Sequence, residues 1–161
     1  MANDRIELTN GFVAYLGEGE VYSCKVPWLG REIKVGIYST DEDSETSVES
    51  IKKAFENFWA DKNSILKVAQ NDIVEKYIPY VAEHKNPDAM FPYLKISEDD
   101  FYADYWLTEI YMVTGEYGSE MQITFESEDG ENSISVHRDL DSGSIIEFFD
   151  GLNEIYSEDM D

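Results

Sequence analysis

Cysteine, histidine and basic residues are the scarce ones in this 161-residue chain: one Cys, two His, and twelve Lys and Arg together. With Cys24 alone, an intramolecular disulfide is excluded and a thiolate zinc site lacks its partners. With only His84 and His137, there is little material for the nucleophile–histidine–orienter sets of acyl transfer. No uninterrupted apolar run approaches the ~18 residues of a membrane-spanning helix. The first ten residues are polar and mixed, without the basic stretch and apolar run of a secretory leader. A soluble chain with a cytoplasmic address and no membrane contact is therefore expected.

What the chain has instead is acid and rings. Thirty-five Asp and Glu against the twelve bases give a net charge of −23. Residues 1–80 hold 14 acids and 9 bases, net −5, whereas residues 81–161 hold 21 acids and 3 bases, net −18. Beyond Ile96 the only base is Arg138. Such a surface repels nucleic acid and anionic membrane and attracts basic proteins at range. Solubility alone is the competing explanation of the acidity. Eleven Tyr, eight Phe and three Trp supply enough apolar area to fold one domain of ordinary size despite the charge.

The pattern changes from strands to helices and back to strands, which argues α+β rather than alternating βαβ units. Short apolar or alternating runs at 12–16, 21–28 and 31–39 read as an N-terminal meander over about 11–39. Thr46-Ser47-Val48-Glu49 fits a capping box. Val48, Ile51, Phe55, Phe58 and Trp59 then define one helical face. Asp61-Lys62-Asn63 reads as a break. Ile65, Val68 or Ala69, Ile73, Tyr77 and Val81 define a second helix ending near residue 84, with a kink or shortening near Tyr77 caused by Pro79. Asn86-Pro87-Asp88 reads as the end of the helical part, followed by a looser segment over 89–95. Ser97 opens a short helix over about 98–103. Four strands follow within about 104–150 and form a C-terminal antiparallel sheet, with Asp129-Gly130 as a hairpin turn. The tail, 152–161, reads as a short fraying helix. One compact domain with helices packed on the sheet is expected.

Motifs that carry chemistry fail in detail. Asp41-Glu42-Asp43-Ser44-Glu45 begins like a calcium loop. It has Thr46 where the sharp turn needs Gly and Lys52 where a bidentate Glu is needed. Glu126, Glu128, Asp129 and Glu131 crowd one turn and read as a solvated hairpin tip. Gly17-x-Gly19 lacks the third glycine and the helix of a dinucleotide site. Cys24 alternates in phase with Tyr22 and Val26, so it reads as a buried thiol. His137 is out of phase with Ile134 and Val136 and belongs on the opposite sheet face. No catalytic residue, metal site or cofactor is assigned.

A partner surface is the remaining candidate. Rings supply most hot-spot energy in protein interfaces, and rim acids steer a basic partner. Phe101, Tyr102, Tyr105, Trp106, Tyr111 and Tyr117 lie close in sequence to a set of acids. Strict alternation over 105–113 puts Trp106, Thr108, Ile110 and Met112 on the apolar, core-facing side. That leaves Tyr105, Glu109 and Tyr111 exposed. With Glu98, Asp99 and Asp100 they form the candidate partner-binding set.

Three phrases give the chain a wider likeness. Ile96-Ser97-Glu98-Asp99-Asp100-Phe101 is a helix start before a strand meander. Asp139-Leu140-Asp141-Ser142-Gly143-Ser144-Ile145-Ile146, running on to Gly151 with His137 just before it, closes that meander. Trp28-Leu29-Gly30-Arg31-Glu32-Ile33 belongs to the first half. The layout resembles small acidic bacterial families of uncharacterised domains of the toxin-immunity type. The likeness lies in turns and strand patterns and transfers no functional residue. It implies a non-enzymatic protein that neutralises a basic toxin. Further readings are a structural domain, a nucleic-acid mimic, and a small-ligand or enzyme domain without a recognisable motif.

Overall fold

The computed structural model describes residues 4–83, 93–151 and 153–160. Its nine strands form one sheet in sequence order: β1 (Arg5–Glu7), β2 (Val13–Leu16), β3 (Tyr22–Trp28), β4 (Arg31–Ser39), β5 (Tyr105–Thr114), β6 (Glu120–Ser127), β7 (Ser133–Asp139), β8 (Ile145–Asp150) and β9 (Asn153–Tyr156). Every neighbouring pair is antiparallel except β4 and β5, which run parallel. Parallel neighbours need a crossover, and the helices supply it.

The α+β class holds, and the strand and helix counts differ from the sequence reading. Two sheets were expected, an N-terminal meander and a C-terminal sheet of about four strands. The β4–β5 pairing fuses them into one. The tail expected to be helical adds a strand instead, with Ile155 buried opposite Phe148, and ends in a short 3-10 turn, Ser157–Met160. Strand β1 was not anticipated either. It is short and owes its place to pairing with β2.

The central helices are one rod. Helix α1 (Ser44–Asp72) passes through a widened turn, Ile73–Tyr77, into α2 (Ile78–Glu83). Asp43, rather than Thr46, caps it: the Asp43 carboxylate accepts from Thr46 N at 2.9 Å and from Thr46 Oγ1 at 2.9 Å. Asp61-Lys62-Asn63 does not break it. None of the three is Gly or Pro, and the helical phase from Phe58 to Ala69 runs unbroken past them. Lys62 lies over the Trp59 ring at 4.2 Å and donates to Trp59 O. The stripe selects Ala69 as buried and leaves Val68 exposed. The expected disturbance near Tyr77 is real. The Ile78 N–H bonds Ile73 O, five residues back, which opens the turn ahead of Pro79. Helix α3 (Glu98–Asp104) is capped as expected, Ser97 Oγ accepting from Asp100 N. The segment 86–88 and most of 89–95 lie outside the described residues.

The core lies between these helices and one face of the sheet. A single apolar row crosses seven strands, residue opposite residue: Cys24, Val35, Ile110, Ile123, Val136, Phe148 and Ile155. Ring pairs Trp28–Phe58, Tyr77–Phe148 and Phe101–Phe125 dock the helices onto this face. Arg138 ties the rod to β7, with Nε 2.5 Å from Asp72 Oδ2 and Nη2 2.8 Å from Asp72 Oδ1. No helix among the described residues is long and apolar enough to cross a membrane.

Candidate functional site

Side chains alternate across a strand, so the row next to the apolar one points to the other face. It runs through all nine strands: Arg5, Tyr15, Ser23, Gly36, Tyr111, Gln122, His137, Glu147 and Tyr156. Among the described residues no helix lies over this face. Its middle is buried or half-buried, and Tyr15 and Tyr156 stand exposed toward its two ends.

The face is closely packed at its centre. Tyr111 lies over Gly36, where an added Cβ would stand 3.3 Å from Tyr111 Cδ2 and 3.3 Å from Val21 Cγ1. A glycine there gives the ring a flat bed against the strand. Burial, with Tyr38 beside it, raises the Tyr111 hydroxyl above its ordinary value. Thr124 and Ser135 hydrogen-bond across β6 and β7 at 2.8 Å. His137 sits between two acids, Nδ1 2.9 Å from Glu147 Oε1 and Nε2 3.3 Å from Glu120 Oε1. Glu147 is only 7% exposed, and its Oε2 is buried without a hydrogen-bond partner among the described residues. Burial first, and then the Glu154 carboxylate, raise Glu147 above the usual glutamate range. Glu154 is held low, first by Glu147 and then by the Tyr156 hydroxyl.

The six candidate residues do not form one surface. Tyr105 is a correction: it is buried, packed on Phe101 on the helix side. The reason is a β-bulge between Leu107 and Glu109, which adds a residue at Thr108 and reverses the alternation beyond it. Tyr105 and Leu107 before the bulge, and Ile110 and Met112 after it, therefore all face the core. Trp106, expected in the core, is exposed instead and stacks with Arg31 at 4.3 Å. Thr108, assigned to the same core side, is only half-buried. Glu109 and Tyr111 are half-buried on the open face. Glu98, Asp99 and Asp100 are exposed in the first turn of α3, away from that face. Tyr15, Trp106, Glu154 and Tyr156 were missed. The signal for them was register rather than local pattern.

His137 takes the face assigned to it. His84 lies outside the described residues. Cys24 is half-buried in the core, and burial pushes its thiol up to about 11. The acids of the loop that begins like a calcium site, and of the hairpin tip, have structural work. Asp41 accepts from Ser50 Oγ at 2.6 Å and from Glu116 N at 3.0 Å. Asp129 accepts from Ser127 Oγ at 2.5 Å and from Glu131 N at 3.0 Å. No group of three or more candidate metal ligands occurs among the described residues.

On the helix side a cleft of about 620 Å³ lies between α1 and the β5–β6 end of the sheet. Phe58, Met112 and Met121 form an apolar floor, with Lys53 and Asn57 on the helix rim and Leu140 opposite.

Fold and face together define an α+β domain built on one acidic, ring-bearing sheet, with the described helices packed on its other face. Residues 7–131 match the model of a domain of unknown function, DUF6985, and with 125 of 161 residues covered the chain belongs to that family. No curated protein and no solved structure matches the chain. The matched segment ends before β7, so His137, Glu147 and Tyr156 lie beyond it.

Proposed function

We propose that this chain is a non-enzymatic protein-binding domain, resident in the cytoplasm, that takes a basic protein on the open face of its sheet. The observation that carries this reading is the row running from Arg5 and Tyr15 through Tyr111 to Tyr156 across nine strands, on a face that no helix covers among the described residues. Tyr15 is 59% exposed and Tyr156 44%. Rings of this kind anchor interfaces, and the surrounding Glu109, Glu120, Glu126 and Glu154 select and steer a positive partner. The net charge of −23 makes a basic partner the complementary one. The most specific form of the reading is an immunity protein that plugs the basic cleft of a toxin, since a nuclease toxin must hold phosphate.

The test is capture by the tagged chain at low and high salt, with Trp106→Ala/Tyr111→Ala beside the wild type. A basic partner that survives high salt with the wild type and is lost with the double variant supports the proposal. Retention by the double variant counts against this face.

The cleft between α1 and the β5–β6 end supports a second reading, a small-ligand domain, because its volume and apolar floor suit a small molecule. Filling it with Leu140→Trp would abolish binding of such a ligand and leave protein capture intact.

A further inference from the structure

We infer that the end of the open-face row around Glu147 receives one arginine side chain of the protein partner, its guanidinium bridging Glu147 and Glu154. The inference rests on the protein-binding reading above and names the chemistry of its anchor. Glu147 is a buried acid with one oxygen held by His137 and the other orphaned. A buried carboxylate oxygen without a donor is costly, and a donor from outside removes that cost.

Among the described residues, the groups facing Glu147 supply no cation of fixed charge. From β7 comes His137, and through it Glu120 of β6. From β9 come Glu154 and Tyr156, the latter also under the influence of Asp159. Three carboxylates thus share one imidazole. Arg138, the one Lys or Arg beyond Ile96, is on the helix side and engaged with Asp72. A guanidinium meets this need better than an ammonium. Its planar donors reach two carboxylates at once, and its face stacks on rings. Two rings stand beside the site: Tyr156, and Phe149, which pairs with Glu154 across β8 and β9. Glu154 and Tyr156 are exposed, and a guanidinium entering between them replaces the hydrogen bond that the Tyr156 hydroxyl now gives Glu154.

Binding favours the ionised form of Glu147, which burial and Glu154 disfavour in the free chain, so a proton that leaves the carboxyl passes to solvent. The complex therefore tightens as pH rises above the ordinary glutamate value of about 4.3. No bond is made or broken beyond that proton transfer.

The full chain, titrated with capped Gly-Arg-Gly and followed by NMR, tests this. Saturable shifts at His137 and Tyr156 are expected, with weaker binding of the lysine counterpart. E147Q and E154Q should each weaken binding by about tenfold. E56Q, an equal charge loss at an exposed α1 position, should change it by less than about twofold. Glu154 is exposed, so E154Q reads the site even if E147Q alters folding. Equal binding of the two peptides, equal effects of E56Q and E154Q, or binding that weakens with rising pH would overturn the inference. Capture by E147Q separates the two claims. Wild type and E147Q holding a partner equally well would sink the arginine site and leave the protein-binding reading. Peptide binding that depends on Glu147, with no partner held by the wild type, would sink the reading and leave the site.

Discussion

The Tyr77 hydroxyl lies 2.6 Å from Asp150 Oδ2 and 2.9 Å from Leu94 O, in the core between the widened helical turn and the end of β8. Leu94 N donates to the same carboxylate oxygen. One buried acid thus joins the helical rod, the chain entering α3, and the sheet. Tyr77→Phe removes the tyrosine's bond to the carboxylate and should cost about 1.5–3 kcal/mol in urea unfolding.

Asp150 also sets a pH dependence. Burial raises it above the usual aspartate value, against the hydrogen bonds from Tyr77 and Leu94. A raised folded-state value means the folded chain binds the proton more tightly than the unfolded one. Stability from this group is therefore full below the unfolded value of about 3.9 and is lost as pH rises through the folded value. Asp150→Asn abolishes that slope. Compared at low and at neutral pH, the variant should gain on the wild type as pH rises. A difference that does not change with pH would contradict the assignment.

Arg138 and Asp72 stabilise only as a pair. Arg138→Met leaves the buried Asp72 without its bidentate partner and should cost about 3 kcal/mol. The double variant with Asp72→Leu should recover most of that loss. Thermal unfolding of the two variants checks the non-additivity.

Gly115 closes β5 at φ +138°, where an added Cβ would stand 2.2 Å from Thr40 Oγ1 and 3.1 Å from Thr40 N. Gly115→Ala combines an unfavourable backbone with a contact the backbone of Thr40 cannot yield. A loss of at least about 2 kcal/mol is expected in chemical unfolding.

With burial pushing its thiol up to about 11, Cys24 carries almost no thiolate at neutral pH. Native protein should react with iodoacetamide on the order of a hundredfold more slowly than unfolded chain. Equal rates would mean that the thiol is open.

Much of the architecture was legible because its cause is local. Alternation over 31–39 and 120–126, the stripe from Val48 to Val81, and the Ser97 cap each follow from adjacent residues. The errors share a non-local cause. Thr108 shows nothing in sequence that marks a bulge, yet one inserted residue moved Tyr105 into the core and Trp106 out of it. The tail at 153–156 is short and acidic, and only pairing with β8 makes it a strand. The join of β4 to β5 spans the whole helical rod. The open-face row was illegible for the same reason: its members are adjacent only once nine registers are set.

The central claim is that the open face is the partner surface, and the direct measurement is a paired capture experiment at high salt. Trp106→Ala/Tyr111→Ala on the open face and Leu140→Ser on the helix side are compared with the wild type. The account predicts that the first loses a basic partner that the wild type and the second both retain. Retention by the first, or loss by the second alone, would contradict it.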